Sequence, residues 1–340
     1  MDWRIVMLKI GKLLSCIILF TSLFSASLLL AQETEMNVNE EANISAETEA
    51  VMIPYIAYWR VGDSYNYHLS KVNKRYLNGE VVRSDSIYSY ANFSVIDSTA
   101  TSYKIKWSYD QDLSTSYSLS PSLLDKLKKY TKVEIIYQTT EMGKFVKILN
   151  WEELSRIQNE VLSLVIEELV VGENKDVMES ALNQLKELYS SEDGITYFLA
   201  KELHTFHYPF GLQFDVSKKS SFESELPNAL GGDPIKTTFL RYFDHVDMEN
   251  SRCVMYVTEN INESDGKKAI KNYLTSAGLT GIKFEDAFNT AELGIGDFSV
   301  YDFFFNPGLP IYLDTERITN ITMAGTQSFQ SERLILELDL

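Results

Sequence analysis

Imidazole and thiolate are the side chains whose chemistry is accessible near neutral pH, and this chain has four histidines and two cysteines. Counting outward from a turn at 247–251 sets His245 across from Cys253, on the face that Phe243 and Met255 share. A thiol beside an imidazole can be a nucleophile with its base. The matching positions of a similar hairpin upstream are Val95 and Tyr103, both core types, so inert packing is the stronger expectation. His204 and His207 stand at i and i+3 on a helical pattern, a spacing that can offer two ligands to zinc. On that helix Ile195, Phe198, Leu199, Leu203 and Phe206 form the apolar stripe. His204 falls opposite the stripe and His207 at its margin, so solvated side chains are expected. No HExxH motif or Cys pair accompanies them, and no metal site is assigned.

Other chemistries have less material. GxSxG is absent, as are GxxxxGK[ST], a GxGxxG opening a helix and an EF-hand loop, so no cofactor is expected. Ser264 and Lys267 match SxxK, but no KTG or SDN follows, and a helix cap at Ser264 accounts for the serine. Glu152-Glu153 and Glu167-Glu168 belong to the solvated faces of amphipathic helices. A hydrolase drawing on acids dispersed along the chain remains the alternative to a non-enzymatic binding module.

Strands and helices must position whatever chemistry there is. Tyr103, Ile105, Trp107 and Tyr109 alternate with Ser102, Lys104, Lys106 and Ser108, the period of a strand with one buried face. The apolar-free stretch 97–101 turns it back on 88–96. Asn78-Gly79 predicts a type I′ turn joining 64–77 to 80–96, giving a three-stranded meander over 64–112. Ser120-Pro121 starts a short helix, and Asn150 is placed to cap a helix over 151–170. Two more helices are expected over 174–190 and about 195–206, ended by Pro209 and Gly211. Strands resume at 235–246 and 252–261. A helix runs from Ser264 to Ala277, then strands at 298–305, 311–314, 318–323 and 334–340.

The expected fold class is α+β: antiparallel sheets from the N- and C-terminal parts with a central helical segment. The divisions are a signal peptide over 1–31, a disordered acidic spacer over 32–50, a β-rich unit over 51–150, a helical segment over 151–210 and a second β-rich unit over 211–340. Sliding the chain by 150 residues lays Phe93, Asp97, Ile105 and Trp107 on Phe243, Asp247, Met255 and Val257, which suggests two similar β-helix-β units.

Arg4, Lys9 and Lys12 precede an apolar run from Leu13 to Phe24, and Leu30-Ala31-Gln32 offers a cleavage site. Export is expected, to the periplasm or beyond, with no membrane span once the signal is removed. The segment 32–50 holds six glutamates and no aromatic or basic residue, too little to offset ordering entropy. The chain has 31 basic and 48 acidic residues, net −17. Removing three basic residues and one acid with the signal leaves 28 against 47, net −19. Such a body repels phosphate backbones, so nucleic acid is a poor partner. Only Cys253 survives signal removal, which excludes an intrachain disulfide. Twenty tyrosines and eighteen phenylalanines point to broad aromatic sheet faces. The densest cluster, Phe298, Tyr301, Phe303, Phe304 and Phe305, suits packing of a sheet against helices.

The order of LLLAQ, WRVGDSYNY, SVIDSTATSYKIKW and PGLPIYLD…LILELDL resembles a group of secreted β-rich proteins of unknown function from the Bacteroidota. The resemblance implies export and a sheet-based fold and supplies no activity and no site residues. The residues themselves point to a binding or structural module, for an apolar ligand on a curved sheet or for a protein partner.

Overall fold

Thirteen strands with Asn-Gly and Asp-rich turns between alternating runs hold more than half of the described residues. A computed structural model describes residues 50–111, 120–169, 186–187, 189–226, 228, 232–276, 286, 288–323 and 325–340. The expected signal, nearly all of the acidic spacer and most of the helix expected over 174–190 lie outside them.

The strands are β1 (Met52–Tyr55), β2 (Ser64–Leu77), β3 (Glu80–Ser98), β4 (Ser102–Gln111), β5 (Lys132–Thr140), β6 (Phe145–Ile148), β7 (Leu212–Asp215), β8 (Ser220–Leu226), β9 (Ile235–Asp247), β10 (Arg252–Ile261), β11 (Glu292–Phe304), β12 (Leu309–Met323) and β13 (Thr326–Leu338). Helices are α1 (Pro121–Leu127), α2 (Trp151–Leu169), α3 (Glu192–Leu199), α4 (Lys201–His207) and α5 (Glu263–Ser276). Eleven strands form one antiparallel sheet in the order β6-β5-β4-β3-β2-β13-β12-β11-β10-β9-β8, while β1 and β7 pair by themselves. The chain enters at the middle of the sheet, walks out to β6, crosses to β8 and walks back until β13 closes on β2.

This overturns the α+β expectation of two sheets around a helical layer. Among the described residues strand exceeds helix by 56% to 22%, and the architecture is mostly β, nearer a sandwich. The decisive pairing is β13 with β2, where Leu336 meets Leu69 and Leu338 meets Tyr67 across more than 260 residues of chain. That ladder merges the two expected β-rich parts into one sheet.

The sheet is strongly curled. His207 and Tyr208 are consecutive, yet His207 Nε2 is 2.8 Å from the Tyr137 hydroxyl on β5, and Tyr208 stacks at 5.4 Å on Tyr301 of β11. Those strands are six positions apart, about 29 Å in a flat sheet at ~4.8 Å per strand. Adjacent residues reach both only if the flanks curve toward each other. Into the trough go α4 and the Tyr208–Phe210 bend: Phe206 contacts Tyr67, Phe93 and Trp107, and Phe210 contacts Tyr55 and Trp59.

Local signals set several joints. Asn78 (φ 51°) and Gly79 (φ 86°) take the left-handed pair that a type I′ hairpin needs, and Ser120 Oγ accepts from Leu123 N at 3.1 Å. Asn150 does more than begin α2. Its side chain accepts from Ile136 N and donates to the Glu134 carbonyl, both at 2.9 Å, fastening the helix start to β5.

Candidate functional site

The histidines expected at the surface lie inside. The run 192–207 is two short helices meeting at Ala200, and α4 turns into the trough, where Glu202, Leu203, Thr205, Phe206 and His207 are buried and His204 is half-buried. His207 is fully enclosed: Nδ1 lies 2.7 Å from the Gly143 carbonyl, which fixes it as the donor, and Nε2 accepts from the Tyr137 hydroxyl. Burial lowers its pKa to about 3 despite the Gly143 bond, and burial takes His204, packed edge-on against Phe145 at 4.6 Å, to about 4. With both ring nitrogens engaged, His207 is a structural tie. Among the described residues no group of three or more His, Cys, Asp or Glu side chains converges to hold a metal ion.

His245 and Cys253 do not face each other. The β9–β10 ladder steps from Arg252↔Asp247 to Val254↔Asp244, so Cys253 meets two residues at a bulge. His245 adopts φ 52° and turns to solvent, while Val246 packs inward. Cys253 lies on the inner face opposite Phe303, and burial, with Asp302 second, pushes its thiol up to about 12. A thiol so protonated is no nucleophile. The cap expected at Ser264 is Asn262 instead: α5 begins at Glu263, Asn262 Oδ1 accepts from the Ser264 and Asp265 amides and from the Ser264 hydroxyl, and the nearby Lys267 ammonium bonds the Ala291 carbonyl.

Of the aromatic cluster, Tyr301 and Phe303 point into the trough and Phe305 packs against its edge, whereas Phe298 is exposed on the convex side.

The unusual chemistry is elsewhere on the inner face. Glu259, Asp297, Arg317 and Glu332 lie side by side in one row across β10, β11, β12 and β13. Arg317 grips Asp297 with two parallel hydrogen bonds, the Nε one at 2.7 Å. Ser299 and Tyr301 follow Asp297 up β11 on the same face, and Arg241 enters from β9 with its guanidinium 4.7 Å from the Phe214 ring centroid. The core of this cluster is buried: Glu259 is 1% exposed, Ser299 1%, Tyr301 1% and Arg317 4%. Among the described residues, both Glu259 carboxyl oxygens, Ser299 Oγ, the Tyr301 hydroxyl, Arg317 Nη1 and Arg241 Nε have no hydrogen-bond partner. Thr237 lies close enough to favour the Glu259 charge slightly without a bond of good geometry. Ser299 stands to the Tyr301 hydroxyl in the same way. Burial first and Asp297 second nevertheless raise the Glu259 pKa to about 8, so it carries its proton at neutral pH.

This cluster was missing from the sequence-based candidates, although a signal existed. Cys253, Met255, Val257, Glu259 and Ile261 share one face of β10, so the acid sits in phase with apolar neighbours. Asp297 follows Leu293 and Ile295 on β11, and Arg317 lies between Leu313 and Ile321 on β12, in the same way. Charges in the apolar phase of three strands mark a buried polar site.

Over the apolar end of the trough runs a strap, residues 55–59, held by turns from both flanks. Ala57 N donates to the Met142 carbonyl at 3.1 Å and Tyr58 N to the Pro307 carbonyl at 3.0 Å. Trp59 Nε1 donates to the Gly308 carbonyl at 2.9 Å. Among the described residues no helix is long and apolar enough to cross a membrane.

No family model matches the chain, and no curated protein matches it. Among solved structures it is similar to DynF from the dynemicin biosynthesis pathway of Micromonospora chersina, at 5% identity over 89% of this chain and 95% of that one. The TM-score is 0.18, too low for that likeness to carry any functional inference.

Proposed function

We propose that this is an exported, non-enzymatic binding protein that takes an apolar ligand into the trough of its curled sheet, the strap and α4 moving aside. Support for export is the basic and then apolar run ahead of Ala31. The observation that carries the binding function is the way the roof is attached. None of its segments belongs to the eleven-stranded ladder: β1 pairs only with β7, and α4 is held by side-chain packing and the His207 bonds to Tyr137 and Gly143. The roof can leave without breaking a single ladder hydrogen bond of the sheet. Its departure would bare Tyr67, Phe93, Trp107, Tyr137 and Phe303, an apolar concavity of the kind that receives ligands.

Organic extraction of the purified full chain, followed by mass spectrometry, is the test. A stoichiometric apolar compound whose return to the stripped protein raises the melting temperature is expected. Failure to extract one, together with no binding of an apolar dye such as Nile red, would reject the proposal.

A hydrolase is the rival, favoured by one observation: two carboxyl groups, Glu259 and Asp297, stand on facing positions in different environments, one raised toward 8 and one ion-paired. Turnover of aryl ester or glycoside substrates that Glu259→Gln abolishes would establish it over the binding protein.

A further inference from the structure

The buried polar row interrupts an inner face that is apolar on both sides, with Met255, Tyr301 and Leu313 on one side and Ile261, Ile295 and Ile321 on the other, and a ligand that spans the row and the aromatic trough is therefore amphipathic. Resting on the binding function proposed above, we infer that the buried row on β10–β12 receives the uncharged, hydroxyl-bearing head group of an amphiphile whose chain lies along the aromatic end.

Unpaired polar atoms inside a fold are costly, and a few per domain is the norm. Among the described residues six of the thirteen such atoms lie in this one cluster, and they are of mixed kind. Arg317 Nη1 and Arg241 Nε are donors, the Ser299 and Tyr301 hydroxyls both donate and accept, and Glu259 does the same while protonated. A hydroxyl group answers both kinds, whereas an ester or ether oxygen answers only donors. The charges also favour a neutral partner. Asp297 is neutralised by Arg317 within the row, and Glu332 and Arg241 on its two sides are of opposite sign. The apolar continuation is built in: one residue pair beyond Ser299 the inner face turns to Met255, Tyr301 and Leu313, then to Cys253 and Phe303. Tyr208 stacks on Tyr301 where polar and apolar ends meet, which puts the head-group site directly beside the roof that must move.

The two β11 hydroxyls are the informative residues. Neither has a partner of good geometry in the protein, so their removal leaves nothing unpaired and should leave the melting temperature unchanged or slightly higher. The test titrates full-length protein, stripped of extractable compounds, with 1-monooleoylglycerol, methyl oleate and sodium oleate, following tryptophan fluorescence. The expected result is monooleoylglycerol binding at least ten-fold tighter than methyl oleate in the wild type. The difference should shrink to about three-fold or less in Ser299→Ala/Tyr301→Phe. Equal binding of glycerol and methyl esters by the wild type, as when the row holds only water, would overturn the head-group assignment and leave the apolar trough standing. Tightest binding of oleate would overturn it too, by making the site anionic in preference. An unchanged preference in the double variant would place recognition elsewhere. Failure of all three compounds to bind would remove the trough proposal itself.

Discussion

The β3–β4 and β9–β10 hairpins stand on opposite flanks of one sheet, 150 residues apart, and each has an extra residue in its first arm just before the turn. Their inner faces differ. The first carries Ala91, Phe93 and Val95 against Ile105, Trp107 and Tyr109, closed by rings from α4 and the strap. The second carries Phe239, Arg241 and Phe243 against Met255, Val257 and Glu259. At the position 150 residues after Tyr109 stands Glu259. Equal scaffolds thus hold a filled aromatic core on one flank and an unsatisfied polar row on the other. The difference separates side chains whose burial stabilises the fold from polar atoms whose burial costs it.

The strap joins the flanks, and breaking its two seats should have the largest effects. Gly308 (φ 79°) lies so close to Ile56 that an added Cβ would overlap the backbone carbonyl, and main chain cannot step aside. Gly308→Ala should cost on the order of 4 kcal/mol or prevent folding. Gly143 (φ 91°) meets the Phe210 ring and an added Cβ would lie 2.9 Å from Ala57 Cβ, so side chains can give somewhat. Gly143→Ala should cost about 2–3 kcal/mol. Urea unfolding of both variants checks the order, and an equal or reversed cost would show that the seats do not hold the strap as described.

On the filled flank His207 is the buried polar tie. Replacing it with phenylalanine leaves the Gly143 carbonyl and the Tyr137 hydroxyl without partners and should cost about 2–4 kcal/mol. A loss under 1 kcal/mol by chemical denaturation would mean water replaces the imidazole.

The two flanks should also pull stability in opposite directions with pH. His207 and His204 have folded pKa values near 3 and 4, below the ordinary 6.5, so the unfolded chain binds more protons and stability rises from about pH 3 to 6.5. Glu259 has a folded value near 8, above its ordinary 4.5, so the folded chain holds more protons and stability falls from about pH 4.5 to 8. The groups facing it are Asp297, Arg317, Thr237, Tyr208 and Tyr301. The slope from one such group is at most ~1.4 kcal/mol per pH unit. Glu259→Gln should match the wild type near pH 4.5 and exceed it increasingly up to pH 8. A denaturation series that shows parallel curves for the two proteins would put Glu259 in contact with water.

Much of the local structure was legible. Alternation placed β2, β3 and β4, Asn78-Gly79 placed their turn, and Ser120-Pro121 placed α1. What failed was long-range. Nothing in Thr326–Leu338 says that it pairs with Ser64–Leu77, because register between distant strands depends on curl and on the whole inner face. The histidines of α4 were misplaced for the same reason: a helical wheel assumes one covered side, and a short helix inside a curled sheet buries residues on more than one, as Leu203, Thr205 and His207 show. His245 was lost to a single bulged residue, which shifts every face assignment beyond it.

The bulges themselves give the finest comparison. His245 holds φ 52° with an exposed side chain, and its amide bonds its neighbour Asp244 Oδ1 at 3.0 Å, a bond any residue can make. Ile96, the extra residue of the other hairpin, has no positive φ and also faces solvent. A left-handed backbone costs a non-glycine residue about 1 kcal/mol, while glycine adds unfolded-state entropy of similar or smaller size. His245→Gly should therefore stabilise by about 0.5 kcal/mol, and Ile96→Gly should destabilise by about 1 kcal/mol. Opposite signs in thermal denaturation would show that the second hairpin turns its bulge at a backbone cost the first avoids. Like signs would mean that side-chain packing, rather than φ, sets the difference between them.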